Sequence, residues 1–344
     1  MKKSKSSKKS KSSKNKSLKR ISDKTTKKIV SPFLHGGLGN QLFQIAAGYS
    51  FYLNNIDNVK FLINFNDKIS AGHKSLASIN KYKNVPNKII DIFPNTKKYM
   101  KTEVIEWDSI VKQSRDNFYN NKPISKKILK FDDKNILLYG VFASHIYMKG
   151  HDKAILDLFE FSNEIKQLGD LYFKHIINNS KTVSLHIRLG DRLKKIISKQ
   201  KLWCIIYEKY YYDAIDAFIK KNKDYTFIIF NEQTDNKFLN EKILPYLLSK
   251  NQNYIHINYN VPLSLSLYLM TKCKHNIITE STLGFWGAFL NKNKNKQVYA
   301  PKVYNSIDNP FKLAMTLRGS ILSTKHEDRM PINWIKINTK CKMK

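Results

Sequence analysis

The chain has 344 residues, 42% of them hydrophobic, with 61 Lys and Arg against 27 Asp and Glu. That is enough apolar material for one large or two medium cores. There is no run of about twenty apolar residues to make a membrane-spanning helix and no apolar stretch behind the N-terminal lysines to act as a signal peptide, so the expectation is a soluble, cytoplasmic protein.

In chain order the first element is a tail. Residues 1–28 hold 13 of the basic residues and a single Asp in a Lys/Ser-rich low-complexity run. Such a segment cannot bury enough apolar area to offset the entropy of ordering it, so it is expected to be disordered. The remaining basic excess is scattered among many Asn and Ile, a mixture that an AT-rich genome writes by codon bias. The formal charge of +34 therefore does not choose between nucleic acid, an anionic membrane and a phosphorylated ligand. Three cysteines, Cys204, Cys273 and Cys341, are widely spaced and form no CxxC pair, as expected of thiols in a reducing compartment.

Order begins near Lys28. Ile29 to Leu34 predicts a short buried strand, Gly36-Gly37-Leu38-Gly39-Asn40 a tight glycine turn, and Gln41 to Leu53 a helix with Leu42, Ile45, Ala46, Tyr49 and Leu53 on one face. Strand, glycine loop and helix make the first unit of a nucleotide-fold half. Phe61-Leu62-Ile63, Lys88 to Phe93 and Leu137 to Val141 predict strands, and Lys153 to Gln167 a helix. Strand and helix then alternate: strands over Thr182–Leu189, Tyr225–Phe230, Tyr254–Ile257 and Asn276–Ile278; helices over Tyr210–Ile219, Leu239–Leu248, Leu263–Cys273 and Leu283–Leu290. This alternation predicts an α/β protein of two doubly wound, Rossmann-like domains facing a cleft. The expected boundaries are a tail at 1–28, an N-terminal domain at 29–175 and a C-terminal domain at 176–344.

Two segments carry candidate chemistry. In Ser184-Leu185-His186-Ile187-Arg188-Leu189-Gly190-Asp191, alternation puts Leu185, Ile187 and Leu189 on the core face and Ser184, His186 and Arg188 on the other. Arg188 then stands at the carboxyl edge of the sheet, where open α/β folds bind ligands, and its planar fork suits a diphosphate. A surface ion pair with Asp191 is the plainer alternative. In Glu280-Ser281-Thr282-Leu283-Gly284-Phe285-Trp286-Gly287, Ser281 or Thr282 is placed to cap a helix whose start suits phosphate. Gly284 and Gly287 are unfavourable inside a helix and imply close approach of something to that backbone.

Together these segments resemble the α-1,2-fucosyltransferases of glycosyltransferase family 11. Gly36 to Gln44 resembles that family's GGLGNQ(M/L)FQ, His186 to Asp191 its HxRRGD, and Cys273 to Leu290 its C-x-H-N-I-I-x-N-S-T-F-S-W-W-G-A-x-L. Weaker echoes sit at Tyr139-Gly140-Val141-Phe142, Tyr211 to Ile215, Ala300-Pro301 and Pro331 to Trp334. Three positions depart: Leu189 replaces the second Arg, Glu280 the Asn before Ser281, and Asn231-Glu232-Gln233 the family's Ser-Asp-Asp.

The resemblance implies a GT-B fold and inverting transfer of L-fucose from GDP-β-L-fucose to a hydroxyl of a glycan acceptor, a galactoside 2-position above all. It implies Arg188 on the β-phosphate, with His186 and Asp191 beside it in the catalytic set. Ser281 and Thr282 serve the phosphates, Glu232 the nucleoside, and Gly37, Gly39 and Asn40 line the cleft from the opposite domain. No cofactor and no metal are expected, since no DxD occurs. His35, Asp191 and Glu280 are candidate general bases. Another linkage or GDP-sugar on the same scaffold remains an alternative. A nucleic-acid-binding protein is a further one, although no nucleic-acid motif is present.

Overall fold

The computed structural model describes residues 27–64, 85–101, 105–113, 135–189, 208–303 and 330–339. Asp191, Cys204, Cys341 and the predicted tail up to residue 26 lie outside the described residues.

Two parallel sheets form the frame. The first runs β2 (Val59–Phe61), β1 (Lys28–Pro32), β6 (Asn135–Tyr139), β5 (Ser109–Lys112). The second runs β12 (Ile335–Thr339), β11 (Val298–Val303), β10 (His275–Ile277), β7 (Thr182–His186), β8 (Thr226–Phe230), β9 (Asn253–Ile257). A small third sheet pairs β3 (Ile63–Asn64) with β4 (Met100–Lys101). Every ladder among the described residues is parallel. Parallel strands require crossovers, supplied in chain order by helices α1 (Leu38–Leu53), α2 (Ile89–Ile92), α3 (Asp152–Leu158), α4 (Asn163–Ile177), α5 (Glu208–Ile219), α6 (Asn236–Phe238), α7 (Leu244–Ser249), α8 (Leu263–Lys272) and α9 (Thr282–Phe289). This is the expected α/β class, in the GT-B-like layout of two Rossmann-like halves.

Among the described strands, each of the two larger sheets has one topological switch point. In the second sheet the chain leaves β7 for β8 and β9, then returns to the other side of β7 with β10. In the first, β1 has β2 on one flank and β6 on the other. At such points adjacent crossovers part to opposite faces and open a crevice beyond the strands' carboxyl ends.

Several local predictions are corrected. Lys88–Phe93 is not a strand: Ile89–Ile92 is one helical turn, closed by Phe93 N–H to Ile89 O (2.7 Å), and a 3₁₀ segment starts at Pro94. Ile89 and Ile92 face the core from this helical turn instead. Lys153–Gln167 is two helices, because Ser162 accepts Ile165 N–H (3.3 Å) and starts a new one. The Leu239–Leu248 helix contains a π turn over Leu239–Ile243. Pro245 follows it, and a proline inside a helix cannot donate back to the preceding turn.

The core does not divide where the sheets do. One buried cluster runs from Leu34, Phe43 and Ile92 in the first half to Leu267, Phe285, Trp286 and Trp334 in the second. Helix α4 leaves the first half and packs on α8, where Gly169 makes room for the Tyr268 ring; a Cβ there would stand 2.4 Å from it. A separate cluster fills the far face of the second sheet, with Leu185, Ile187 and Leu189 against Tyr211, Ile215 and Phe218 of α5. That is the core face predicted for the Thr182–Leu189 segment.

Candidate active site

The glycine loop follows β1. Gly36 takes φ +77°, left-handed backbone that favours glycine. Gly37 is the extended N-cap of α1, and Gln41 N–H reaches Gly37 O (3.1 Å) to close the first turn. The helix therefore starts at Leu38, three residues before the predicted Gln41, and nothing from a side chain caps it.

Helix α9 follows β10 in the same way. Ser281 is its N-cap by position, but the side-chain cap predicted from Ser281 or Thr282 is not made. Two uncapped helix starts thus meet at one seam. A Cβ on Gly39 would fall 2.6 Å from Leu283 N and 2.7 Å from Thr282 Oγ1. Trp286 Nε1 donates to Gly39 O (2.9 Å) across the same seam, and Phe43 packs at a tilt against Phe285 and Trp286, with centroids 4.6 and 5.0 Å away. Each helix start carries about half a positive charge. Two such ends side by side repel one another and favour an anion in the adjoining crevice.

The strand-end motif stands beside them, at the switch between β7 and β10. Ile187 N–H still pairs with Phe230 O (2.8 Å), so Arg188 is the first residue beyond the ladder. Its guanidinium pairs with the Glu232 carboxylate; the alternative partner, Asp191, lies outside the described residues. Both partners keep contact with solvent, at 24% and 48% exposure. Asp235, 1% exposed, holds the two together from beneath. Its Oδ1 accepts Leu189 N–H (2.8 Å) and its Oδ2 accepts Glu232 N–H (3.2 Å). The spacing Glu232-Gln233-Thr234-Asp235 is that of a capping box, a signal the sequence carries.

His186 is buried at 5% exposure. Its ring lies against Gly284, whose Cβ would stand 2.9 Å from Nδ1. Gly287 likewise admits Met270, with Sδ 2.8 Å from a Cβ. Both helix glycines are thereby explained as close approaches. Tyr210 donates its hydroxyl to Ile278 O and Tyr299 O, pinning the corner from β10 into α9; burial raises that phenol well above its ordinary pKa.

The structure thus gathers Gly37, Gly39, Thr282 and Ser281 at one seam, and Arg188 with Glu232 at the neighbouring strand ends. Asn40, in the first turn of α1, packs against Gly36 of the glycine loop. Among the described residues no group of three or more His, Cys, Asp or Glu side chains could hold a metal ion. No described helix is long and apolar enough to cross a membrane.

Two parallel lobes, a cationic strand end and paired helix starts define a GT-B-like glycosyltransferase. The family model for glycosyl transferase family 11 matches residues 29–337, and the chain belongs to that family. It is 27% identical to the O-antigen biosynthesis glycosyltransferase WbnK of Escherichia coli, over 82% of this chain and 97% of that one. It is 26% identical to an Escherichia coli α-1,2-colitosyltransferase, over 76% of this chain and 87% of the other. The crystal structure of the fucosyltransferase NodZ from Bradyrhizobium aligns with TM-score 0.45 and 9% identity, covering 76% of this chain and 92% of that one.

Proposed function

We propose that the protein transfers L-fucose from GDP-β-L-fucose to a galactoside hydroxyl, the 2-position above all, with inversion. The observation that carries this reading is Arg188 at the β7/β10 switch, next to two helix starts that no side chain caps. As the glycosidic bond breaks, negative charge grows on the departing diphosphate, and fixed positive groups there act more strongly on the transition state than on the ground state.

In this reading Arg188 grips the β-phosphate and exchanges Glu232 for it. Glu232, released, turns to the nucleoside. The start of α9 with Ser281 and Thr282 completes the phosphate site, and Gly37, Gly39 and Asn40 close it from the first lobe. His186, buried under α9, is a positioning residue that fixes the height of that helix over β7. Asp191, outside the described residues, is a further candidate for the catalytic set. The cations of the site take the role a divalent ion has elsewhere, so no metal is required. The N-terminal lobe, from 29 to 175, takes the acceptor, and the C-terminal lobe the donor.

The test is product analysis with GDP-fucose and a panel of galactose-terminated acceptors, with linkage assigned by NMR. Absence of fucosyl transfer to every acceptor, with GDP-fucose left intact, sinks the donor assignment. A second reading has support from the α-1,2-colitosyltransferase relative: the same site with a different GDP-sugar. Parallel incubation with GDP-colitose separates the two.

A further inference from the structure

The first sheet has its own switch point, between β1 and β6, and three aromatic rings stand on it. Phe33 and His35 follow β1, and Tyr139 ends β6. Phe33 and Tyr139 lie 4.9 Å apart, centroid to centroid, and the His35 and Tyr139 rings are within 12° of parallel at 5.6 Å. Tyr139 is 42% exposed, which is unusual for an aromatic ring at the end of an interior strand.

The surrounding structure holds these rings still. Gln44, fully buried in α1, directs its whole side chain at His35. Its Oε1 accepts His35 N–H (3.0 Å), and its Nε2 donates to His35 O (3.2 Å) and lies 3.0 Å from His35 Nδ1. After Tyr139 the chain turns tightly. Gln113 N–H donates to Tyr139 O (2.7 Å), Gln113 Oε1 accepts Phe142 N–H (3.0 Å), and Phe142 sits at φ +53°. A bulky residue in left-handed backbone is strained, and such strain collects at binding sites.

We propose that Phe33, His35 and Tyr139 form the platform on which the terminal galactopyranoside of the acceptor stacks. The inference rests on the glycosyltransferase reading above and names the acceptor subsite within it. The axial hydroxyl of galactose leaves one ring face as a patch of C–H bonds. That patch suits the electron-rich face of an aromatic ring. Stacking covers the face and leaves the ring-edge hydroxyls, the 2-hydroxyl among them, open toward a donor. His35 and the Tyr139 hydroxyl add polar contacts at the rim. The platform and the donor clamp thus occupy the switch points of the two sheets, and the glycine loop that leads out of the platform is the one that abuts α9.

Two measurements test it on the full chain. Saturation-transfer NMR with methyl β-galactoside reads binding without any donor, and steady-state kinetics read the acceptor KM. Tyr139→Ala and His35→Ala should each raise the acceptor KM at least tenfold and remove the saturation signal, whereas Tyr139→Phe, which keeps the ring, should retain the signal. Leu171→Ala, on the outer face of α4 and 72% exposed, serves as the unaffected control. Galactoside binding that persists in Tyr139→Ala, or an acceptor KM within twofold of the parent, overturns the platform. So does a parent protein that gives no saturation signal with the galactoside. A parent that binds the galactoside and loses it in Tyr139→Ala, yet transfers nothing from GDP-fucose, supports the platform and removes the donor assignment instead.

Discussion

Gly39→Ala puts the α1–α9 seam to a quantitative test. Within a helix this change ordinarily stabilises by about 1 kcal/mol, because alanine has the higher helix propensity. Here the added methyl would stand 2.6 Å from Leu283 N and 2.7 Å from the Thr282 carbonyl carbon. Ordinary contact begins near 3.5 Å, so the two helices must part by about 0.8 Å. These are backbone atoms and cannot swing aside. The Trp286 to Gly39 hydrogen bond, now 2.9 Å, would stretch beyond bonding range and leave a buried indole N–H unsatisfied, at about 1–3 kcal/mol. Overpacking adds about 1–3 kcal/mol. The net expectation is a loss of about 1–5 kcal/mol, opposite in sign to the propensity effect. A displacement of this size at the helix starts should also lower turnover about 10²-fold. Urea denaturation and an initial-rate assay on the same preparation give both numbers. Trp286→Phe in the Gly39→Ala background should cost less than in the parent, since the bond it removes is already broken. A Gly39→Ala protein that is as stable and as active as the parent would falsify the close seam.

Arg188→Lys and Arg188→Ala should each lower kcat/KM by at least ~10²-fold, roughly 3 kcal/mol, with folding little changed, because a point charge does not replace the planar fork; near-normal turnover in either refutes the diphosphate clamp. Activity should survive EDTA, and loss with recovery on adding Mn²⁺ would contradict a metal-independent site. His275 is buried beside Phe218, hydrogen-bonded to Tyr225 and to Gln297 N–H, and burial, with the nearby Lys274 and Lys221 charges, lowers its pKa to about 4. Between about 4 and 6.5 the unfolded chain binds the proton that the native state refuses. Stability should therefore fall as pH drops through that window, by up to about 3 kcal/mol, and His275→Gln should flatten the profile of denaturation midpoint against pH. The Cys273 thiol, fully buried and pushed up to about 12, should stay unmodified by Ellman's reagent at pH 8 in a Cys204→Ser, Cys341→Ser background until denaturant is added.

Much of the second sheet was legible because its central strands are buried on both faces and its helices show clear periodicity. Thr182–His186 and Thr226–Phe230 read as apolar runs, and their limits fall within a few residues of those predicted. The first lobe was less legible. β5 (Ser–Ile–Val–Lys) is a half-exposed edge strand with little pattern, and the isoleucines around residue 90 gave a strand signal to a helical turn. β11 and β12 were passed over because proline and lysine interrupt them. Of the site, Arg188 and the two helix starts followed from strand alternation and glycine placement. The Glu232 partner of Arg188 did not, since it comes from the segment after the adjacent strand, which only the fold brings near. The bond from Leu189 N–H to Asp235 and the hold of Gln44 on His35 were invisible for a similar reason: both join groups brought near only by the fold.

The aromatic cluster that crosses from Phe43 to Phe285, Trp286 and Trp334 bears on how the polypeptide acquires its shape. Neither half owns a complete interior, so neither fragment should be a stable folding unit when expressed alone. The intact chain should melt in one calorimetric transition, with equal van't Hoff and calorimetric enthalpies. Two fragments divided near residue 178, each collapsed and aggregation-prone by itself, should regain structure when refolded together, because each supplies the apolar surface that the other lacks.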